Sequence, residues 1–437
     1  MTSRRSFLRA SSLTLAAGAT GALTLQGCAA TVPEATDGGE SLPESITSLQ
    51  PMTDGVTPIS VDERRGRIER AQRLMSDTGL NAIMLAGGTS LDYFTGMRWG
   101  NSERLLALVL PLRGTPFVVC PAFEHDRALE QLAAGPLGTD AQVLTWEEHE
   151  NPYSLIGKGL RDVGLATGRL GVEETVKFVF SDGIGAAVPA VELVSATPVT
   201  AGCRGVKDEH ELALMRHASH VTHRAYEAAW KGLKEGMTQT DFARLVSAAH
   251  TRLGYSGSAG VQVGEFSALP HGSRTPQVVR EGTILLIDGG CKVEGYSSDL
   301  SRTFVLGKPT DKMKQVFDIV HEAQAAALAA ARPGVPCEDV DAAARKVVVD
   351  AGYGPDYKYF SHRVGHGMGM DGHEWPYLVR GNKLPLAPGM TFSDEPGIYI
   401  PGEFGVRLED DMVITENGAE LLTPQSPSLE QPFAPLT

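Results

Sequence analysis

The chain has 437 residues, 42% of them apolar and 21% charged, the balance of a folded globular protein, which excludes fibrous and multispanning classes. A chain this long holds about two or three domains and buries its cores without disulfides, for which five cysteines would be a poor supply. The formal charge of −14 repels nucleic acid and anionic lipid, so neither is expected as a partner.

Residues 1–28 read as an address. Ser3-Arg4-Arg5-Ser6-Phe7-Leu8 resembles a twin-arginine export signal, a mildly apolar stretch runs from Leu13 to Leu25, and Leu25-Gln26-Gly27-Cys28 resembles a lipoprotein processing box. These features imply export to a bacterial cell envelope or periplasm, with a lipid anchor at Cys28 as the one expected membrane contact. The stretch is too short and too weakly apolar to span a bilayer. Residues 29–58 contain Pro33, Pro43, Pro51 and Pro58, five acids, and no Lys, Arg or aromatic side chain. They are expected as a disordered tether, because such a composition buries too little apolar surface to offset its ordering entropy.

An N-terminal α/β domain is expected over 59–203. A charged helix from Asp62 to Thr78 leads into the apolar run Asn81 to Leu85, with further strands at Leu105 to Leu112, Pro116 to Val119, Gln142 to Leu144 and Leu170 to Val172, and a helix from Glu124 to Ala133. Short apolar runs alternating with helical stretches suggest an α/β layer. No catalytic constellation is visible in it, which assigns it a supporting role in dimerisation or substrate closure.

Residues 204–437 form the second domain. Helices are expected from Lys207 to about Gly236, from Thr240 to Leu253, from Asp311 to Ala331 and from Cys337 to Ala351. Strands are expected at Thr283 to Asp288, Arg302 to Val305, Thr391 to Ile400 and Gly405 to Thr415. Helices and strands come in clusters, which indicates an α+β domain with an antiparallel sheet.

Two acidic pairs lie in this domain, each about a turn. If the chain turns near Val293 and Glu294, Asp288 and Asp299 stand opposite one another; a turn centred on Gly402 places Glu395 opposite Glu409. Like charges on apolar strands repel and are costly to desolvate, so the arrangement calls for cations. Four carboxylates with one imidazole, His366 in Gly365-His366-Gly367, suit two divalent ions of the manganese, cobalt, iron or zinc kind more than soft metals; manganese is the expectation carried forward. Each residue alone is ordinary; the ordered set Asp288, Asp299, His366, Glu395, Glu409 is what carries the argument.

This set and its neighbours resemble the pita-bread metallopeptidases: Xaa-Pro aminopeptidase, prolidase and methionine aminopeptidase. The resemblance covers roughly 60–437, with its motifs confined to 268–411. It implies a pita-bread catalytic domain preceded by a smaller creatinase-like N-terminal domain, together an α+β chain. It implies that Asp288 chelates one metal, His366 and Glu395 the other, and that Asp299 and Glu409 bridge both. His271, His362 and His373 match further positions typical of the Xaa-Pro-cleaving branch. Arg407 also matches, either to bind a substrate carboxylate or to orient a ligand carboxylate. The implied reaction is hydrolysis of peptide bonds, most of all Xaa-Pro, by a hydroxide bridging the metals, with Glu395 moving the proton. The implied partners are short peptides with proline at the second position, and a second copy of the chain in a homodimer. The rivals are a small-molecule amide hydrolase or lyase on the same scaffold, and an inactive peptide-binding lipoprotein.

Overall fold

The computed structural model describes residues 41–436. The expected signal over 1–28, with Cys28, and most of the first half of the expected tether lie outside the described residues. The second half departs from the expectation. Residues Glu44–Thr47 form helix α1, whose Ile46 is fully buried, and Leu49, Met52 and Val56 pack on the same core. The Ser45 hydroxyl donates to Ala228 O and the Met52 amide to Leu253 O. Residues 42–58 are therefore part of the folded body. Their composition cannot support a core, but a few apolar side chains suffice to hold a strap on a core that other segments build.

Helix α2 (Val61–Thr78) starts at a capping box between Ser60 and Glu63, which satisfies two amides at the helix start. It packs on a six-stranded sheet of β1 (Ala82–Ala86), β2 (Ala107–Pro111), β3 (Phe117–Pro121), β4 (Gln142–Trp146), β5 (Gly168–Val172) and β6 (Val191–Ser195). The spatial order is β4-β3-β2-β1-β5-β6. The sheet is mixed: β1, β2 and β3 run antiparallel, whereas β4, β5 and β6 each pair in parallel with a neighbour. The three antiparallel strands are buried on both faces, which explains their uninterrupted apolar runs. Helices α3 (Thr89–Thr95), α4 (His125–Ala134), α5 (Tyr153–Asp162), α6 (Phe178–Ala187) and α7 (Thr197–Arg204) complete the lobe. The expected domain boundary at 203/204 falls in the last turn of α7.

The second lobe carries α8 (Glu209–Lys231), α9 (Gln239–Arg252), α10 (Asp311–Ala330) and α11 (Cys337–Asp350). Helix α8 stops five residues before the expected Gly236. Its apolar stripe of Leu214, Met215, Ala218, Val221 and Ala225 is buried in the core shared with Leu285 and Ile287. The strands are β7 (Gly257–Val263), β8 (Ile284–Val293), β9 (Tyr296–Ser297), β10 (Leu300–Val305), β11 (Gly365–Gly367), β12 (Glu374–Leu378), β13 (Thr391–Asp394), β14 (Gly397–Ile400), β15 (Phe404–Arg407), β16 (Asp410–Ile414) and β17 (Ala419–Leu421). They pair antiparallel as β10-β8-β7, β12-β11-β13-β16-β17 and β14-β15. The two long strands expected at Thr391 to Ile400 and Gly405 to Thr415 are each broken, at Glu395-Pro396 and at Leu408-Glu409. There the Glu395 amide donates to Val364 O and the Glu409 amide to Ser301 O. Both acids thus sit where the hairpin passes from one sheet to another.

Candidate metal centre

Strand register brings the acids together. The β8–β9 hairpin pairs Val293 with Tyr296 and Lys292 with Ser297, so its turn is Glu294-Gly295, both at positive φ (47° and 91°). Such a two-residue turn favours Gly at its second position. Asp288 consequently pairs with Ser301, and the expected pairing with Asp299 is corrected by two residues. Asp299 precedes β10 and remains within reach diagonally. In the second hairpin one register runs from Ile400 and Phe404 to Thr391 and Val413. This is the register that a turn centred on Gly402 gives, and it sets Glu395 across from Glu409.

Donor atoms of the five predicted ligands, joined by His373, converge within 4.8 Å in overlapping groups: Asp288, Asp299 and Glu409; His366, Glu395 and Glu409; Asp299, His366 and His373. His366 Nε2 lies 3.3 Å from Glu395 Oε1 and 3.9 Å from Asp299 Oδ2. Its Nδ1 is 3.1 Å from Gly367 O, which places the ring proton on Nδ1 and leaves the Nε2 lone pair facing the carboxylates. Burial and the neighbouring His373 push His366 down to about 3, so the ring is neutral. Burial, opposed by Arg407 and reinforced by Asp288, raises Glu395 to about 7. Burial and the surrounding acids likewise push Asp299 and Glu409 well above the carboxylate range. Buried carboxyls that cannot all ionise together are what a divalent pair would relieve, and oxygen donors with one free imidazole nitrogen fit hard to borderline cations such as Mn, Co, Fe or Zn.

A hydrogen-bonded ring surrounds this cluster. The fully buried Ser301 hydroxyl lies 2.6 Å from Glu409 Oε2 and 3.1 Å from Asp288 Oδ1, and accepts from Arg407 Nε at 2.9 Å. Arg407 Nη2 pairs with Asp288 Oδ2 at 2.7 Å, and its Nη1 donates to Pro270 O and to the Tyr399 hydroxyl. Each nitrogen of Arg407 thus has a partner, and four of its five N–H groups are engaged. His362 Nδ1 donates to Arg363 O at 2.8 Å while Nε2 accepts from the Tyr399 hydroxyl at 2.7 Å. Burial and Arg407 push His362 down to about 3. Both nitrogens of His362 are thus engaged within the protein. Asp411, raised to about 8 by burial, accepts from Ser219 and from the Asp299 amide.

Ser301, Tyr399 and Asp411 were not singled out from the sequence, although a signal existed: they lie two, four and two residues beyond Asp299, Glu395 and Glu409. Alternation along a strand returns a side chain to the same face every second residue. Arg363, on the loop before β11, carries no comparable signal.

The nine residues singled out from the sequence line one cavity of about 490 Å³, with Tyr357, Ser361 and Arg363 among the remaining walls. His271 is exposed on a loop at its edge. His373 stacks on His366, with ring centroids 3.8 Å apart and planes inclined by 22°. The N-terminal lobe holds the loop that carries His373: Arg204 pairs with Asp371 at 2.6 Å and with Glu374, and the Thr89 hydroxyl donates to Asp371 at 2.5 Å. The cysteines Cys120, Cys203, Cys291 and Cys337 are buried free thiols.

Comparison with known proteins agrees with this architecture. Residues 213–416 match the Metallopeptidase family M24 and residues 67–206 the Creatinase/Prolidase N-terminal domain. The chain is 40% identical over 357 residues to a probable dipeptidase PepE of Mycobacterium tuberculosis, covering 81% of this chain and 92% of that protein. It is 32% identical over 372 residues to an Xaa-Pro dipeptidase of Lactobacillus delbrueckii subsp. lactis, covering 83% and 98%. The crystal structure of dipeptidase PepE from Mycobacterium ulcerans superposes with a TM-score of 0.80 at 34% identity, covering 86% of this chain and 99% of that one. The chain belongs to the M24 metallopeptidases, with the pita-bread catalytic fold and a creatinase-type N-terminal domain.

Proposed function

We propose that the chain is an Xaa-Pro dipeptidase that works with two divalent cations, manganese first among them. The observation that carries this reading is the convergence of four carboxylates and one neutral imidazole in a single cavity; relatives described as dipeptidases and Xaa-Pro dipeptidases support the substrate class. When bound, such cations supply Lewis acidity that polarises a carbonyl and lowers the pKa of water. The chain supplies the rest. Glu395, a carboxylate beside the cluster, takes the proton of the attacking water at a carboxylate oxygen and delivers it to the leaving proline nitrogen. His373 Nδ1 faces the Arg363 guanidinium at 3.4 Å and so accepts. That tautomer carries its proton on Nε2, free to donate to the substrate carbonyl. His271 is the second donor, from the exposed rim. Such donors contribute about 3 kcal/mol each where charge develops on oxygen. Arg407 and Ser301 fix Asp288 and Glu409, and Tyr399 fixes His362.

The test is a turnover panel of Ala-Pro, a longer Xaa-Pro peptide, a Met-initiated peptide and a non-peptide amide, each with Mn, Co and Zn. Ala-Pro is expected to lead; preference for the non-peptide amide overturns the reading. We further propose export to the cell envelope with acylation at Cys28, for which Cys28→Ala should release the protein from the membrane fraction, and a homodimer, measurable by light scattering.

A further inference from the structure

The hairpin that brings Asp299 to the cluster is held near its tip by the N-terminal lobe. Tyr296, on β9 and three residues before Asp299, is buried; its hydroxyl accepts from Arg67 Nη2 at 2.8 Å and donates to Glu211 Oε1 at 2.7 Å. Arg67 comes from α2 and is buried as well. Its Nη2 lies 3.2 Å from Glu211 Oε1, its Nη1 donates to Tyr93 O at 3.1 Å, and its Cζ sits 4.1 Å from the centre of the Tyr93 ring. Glu211 is in the first turn of α8, where its other oxygen accepts from the Asp208 amide in a capping box. Helices α2 and α8 and strand β9 therefore meet on one phenolic oxygen. A buried ion pair is tolerable when hydrogen bonds complete it in this way.

The two aspartates of the hairpin differ in what fixes them. Asp288 stands inside β8, paired with Ser301 on one side and Gly260 on the other. Asp299 lies between β9 and β10, outside either strand, so its direction depends on the residues just before it. Those residues are anchored one by one. The Ser297 amide donates to Gly369 O, the Ser298 hydroxyl bonds the Thr222 hydroxyl and accepts from the Cys291 amide, and Tyr296 bonds Arg67 and Glu211. Of these anchors, Tyr296 is the one that reaches the N-terminal lobe. We infer that Arg67 and Tyr296 are positioning residues for the metal centre: the N-terminal lobe sets affinity for the cations by holding the hairpin from which Asp299 projects. The inference rests on the two-cation reading given above and goes beyond it. Asp299 enters two of the three donor groups, so a swing of its backbone loosens both.

The experiment titrates metal-free wild type, Tyr296→Phe, Arg67→Lys and Tyr93→Phe with manganese by calorimetry and unfolds the same samples in urea. Tyr296→Phe removes the shared oxygen but leaves the Arg67 and Glu211 charges paired, so the fold should persist. Its manganese affinity should weaken by about three- to tenfold, less than when a group bonded directly to a ligand is removed. Arg67→Lys keeps the charge but cannot serve Tyr93 O and Tyr296 together, and should weaken affinity by a similar factor. In the double variant the two losses should not add, because both break one contact. Tyr93→Phe removes a buried hydroxyl that donates to Cys203 O within the N-terminal lobe; it should lower the urea midpoint and leave manganese affinity at the wild-type value. Wild-type affinity in Tyr296→Phe, or an equal loss in Tyr93→Phe, overturns the inference, because the contact is then structural only. Loss in Tyr296→Phe without loss in Arg67→Lys overturns the part given to the N-terminal lobe. A wild type that binds none of manganese, cobalt and zinc overturns the two-cation reading itself.

Discussion

Ser301→Ala isolates the contribution of the ring around the metal ligands without touching a ligand. The hydroxyl is fully buried, accepts from Arg407 Nε at 2.9 Å, and directs its single proton at the acids, with Glu409 Oε2 nearest at 2.6 Å. Removing it has two consequences that can be sized separately. Glu409 loses a short hydrogen bond, worth about 1.5–3 kcal/mol once a bound cation keeps its carboxylate ionised, and with it the restraint that holds that carboxylate in ligating orientation. Since about 1.4 kcal/mol is a factor of ten, affinity for a divalent cation should weaken by about tenfold to a hundredfold, the range found when groups that orient metal ligands are removed. Arg407 meanwhile keeps a buried Nε–H without an acceptor, which should cost the metal-free fold about 1–3 kcal/mol. Calorimetric titration of metal-free protein with manganese measures the first effect and urea unfolding of the same sample the second. Wild-type metal affinity in the variant would refute the reasoning, because Glu409 would then be held by something other than this hydroxyl.

Further consequences follow from the same geometry. Asp299→Ala, which strikes two of the three donor groups, should abolish metal loading and turnover together; retained turnover would remove the dinuclear reading. Tyr399→Phe deletes the hydroxyl that bridges Arg407 Nη1 and His362 Nε2. It should lower kcat by about tenfold while metal content holds, and loss of metal instead would place Tyr399 in support of a ligand. Outside the lining of the cavity, His223 is buried with both ring nitrogens unpartnered, and burial pushes it down to about 3. Its folded-state value lies below the unfolded one, so the unfolded chain binds the proton first and stability drops as pH falls from about 6.5 toward 3. Going from pH 7 to pH 5 should cost about 2 kcal/mol through this group. His223→Leu should remove that increment in urea unfolding, and an equal wild-type-to-variant difference at both pH values would refute it.

What could be read from the sequence, and what could not, divides along physical lines. Chemistry concentrated in residue types was legible: the spacing of Glu395 and Glu409 about Gly402 gives the hairpin register directly, because a strand pair has no freedom once its turn is placed. The first hairpin differs from its expected register by two residues, because its turn falls at Glu294-Gly295 and not at Val293-Glu294. The dipeptide Glu294-Gly295 carries the requirement for positive φ, which Gly meets without cost. Helices α5 and α6 escaped notice because glycine breaks their helical pattern. Yet a Cβ on Gly159 would come within 2.3 Å of the Phe117 ring, and one on Gly183 within 2.3 Å of the Tyr153 ring. Those glycines are there for close packing, and tertiary contact overrides their poor helix propensity. The strap over 42–58 escaped for the converse reason, since its burial is conferred by α8 and α9 and not by its own composition.

The same division accounts for the part of the site that depends on both lobes. The ligands come from hairpins whose register is local, whereas the position of His373 depends on Arg204, which lies 169 residues earlier in the chain and holds Asp371 and Glu374 from the N-terminal lobe. No spacing rule connects an arginine at the end of α7 to a loop before β12. Burial of Glu374 without these cations would leave a carboxylate desolvated and uncompensated; with Lys207 and Arg204 beside it, its carboxyl is held below the usual range despite burial. The N-terminal lobe thus contributes charge to the back of the His373 loop. The lobe without a catalytic constellation thus supplies the cation that balances two like-charged acids of the His373 loop, Asp371 and Glu374, where burial alone would leave them repelling one another.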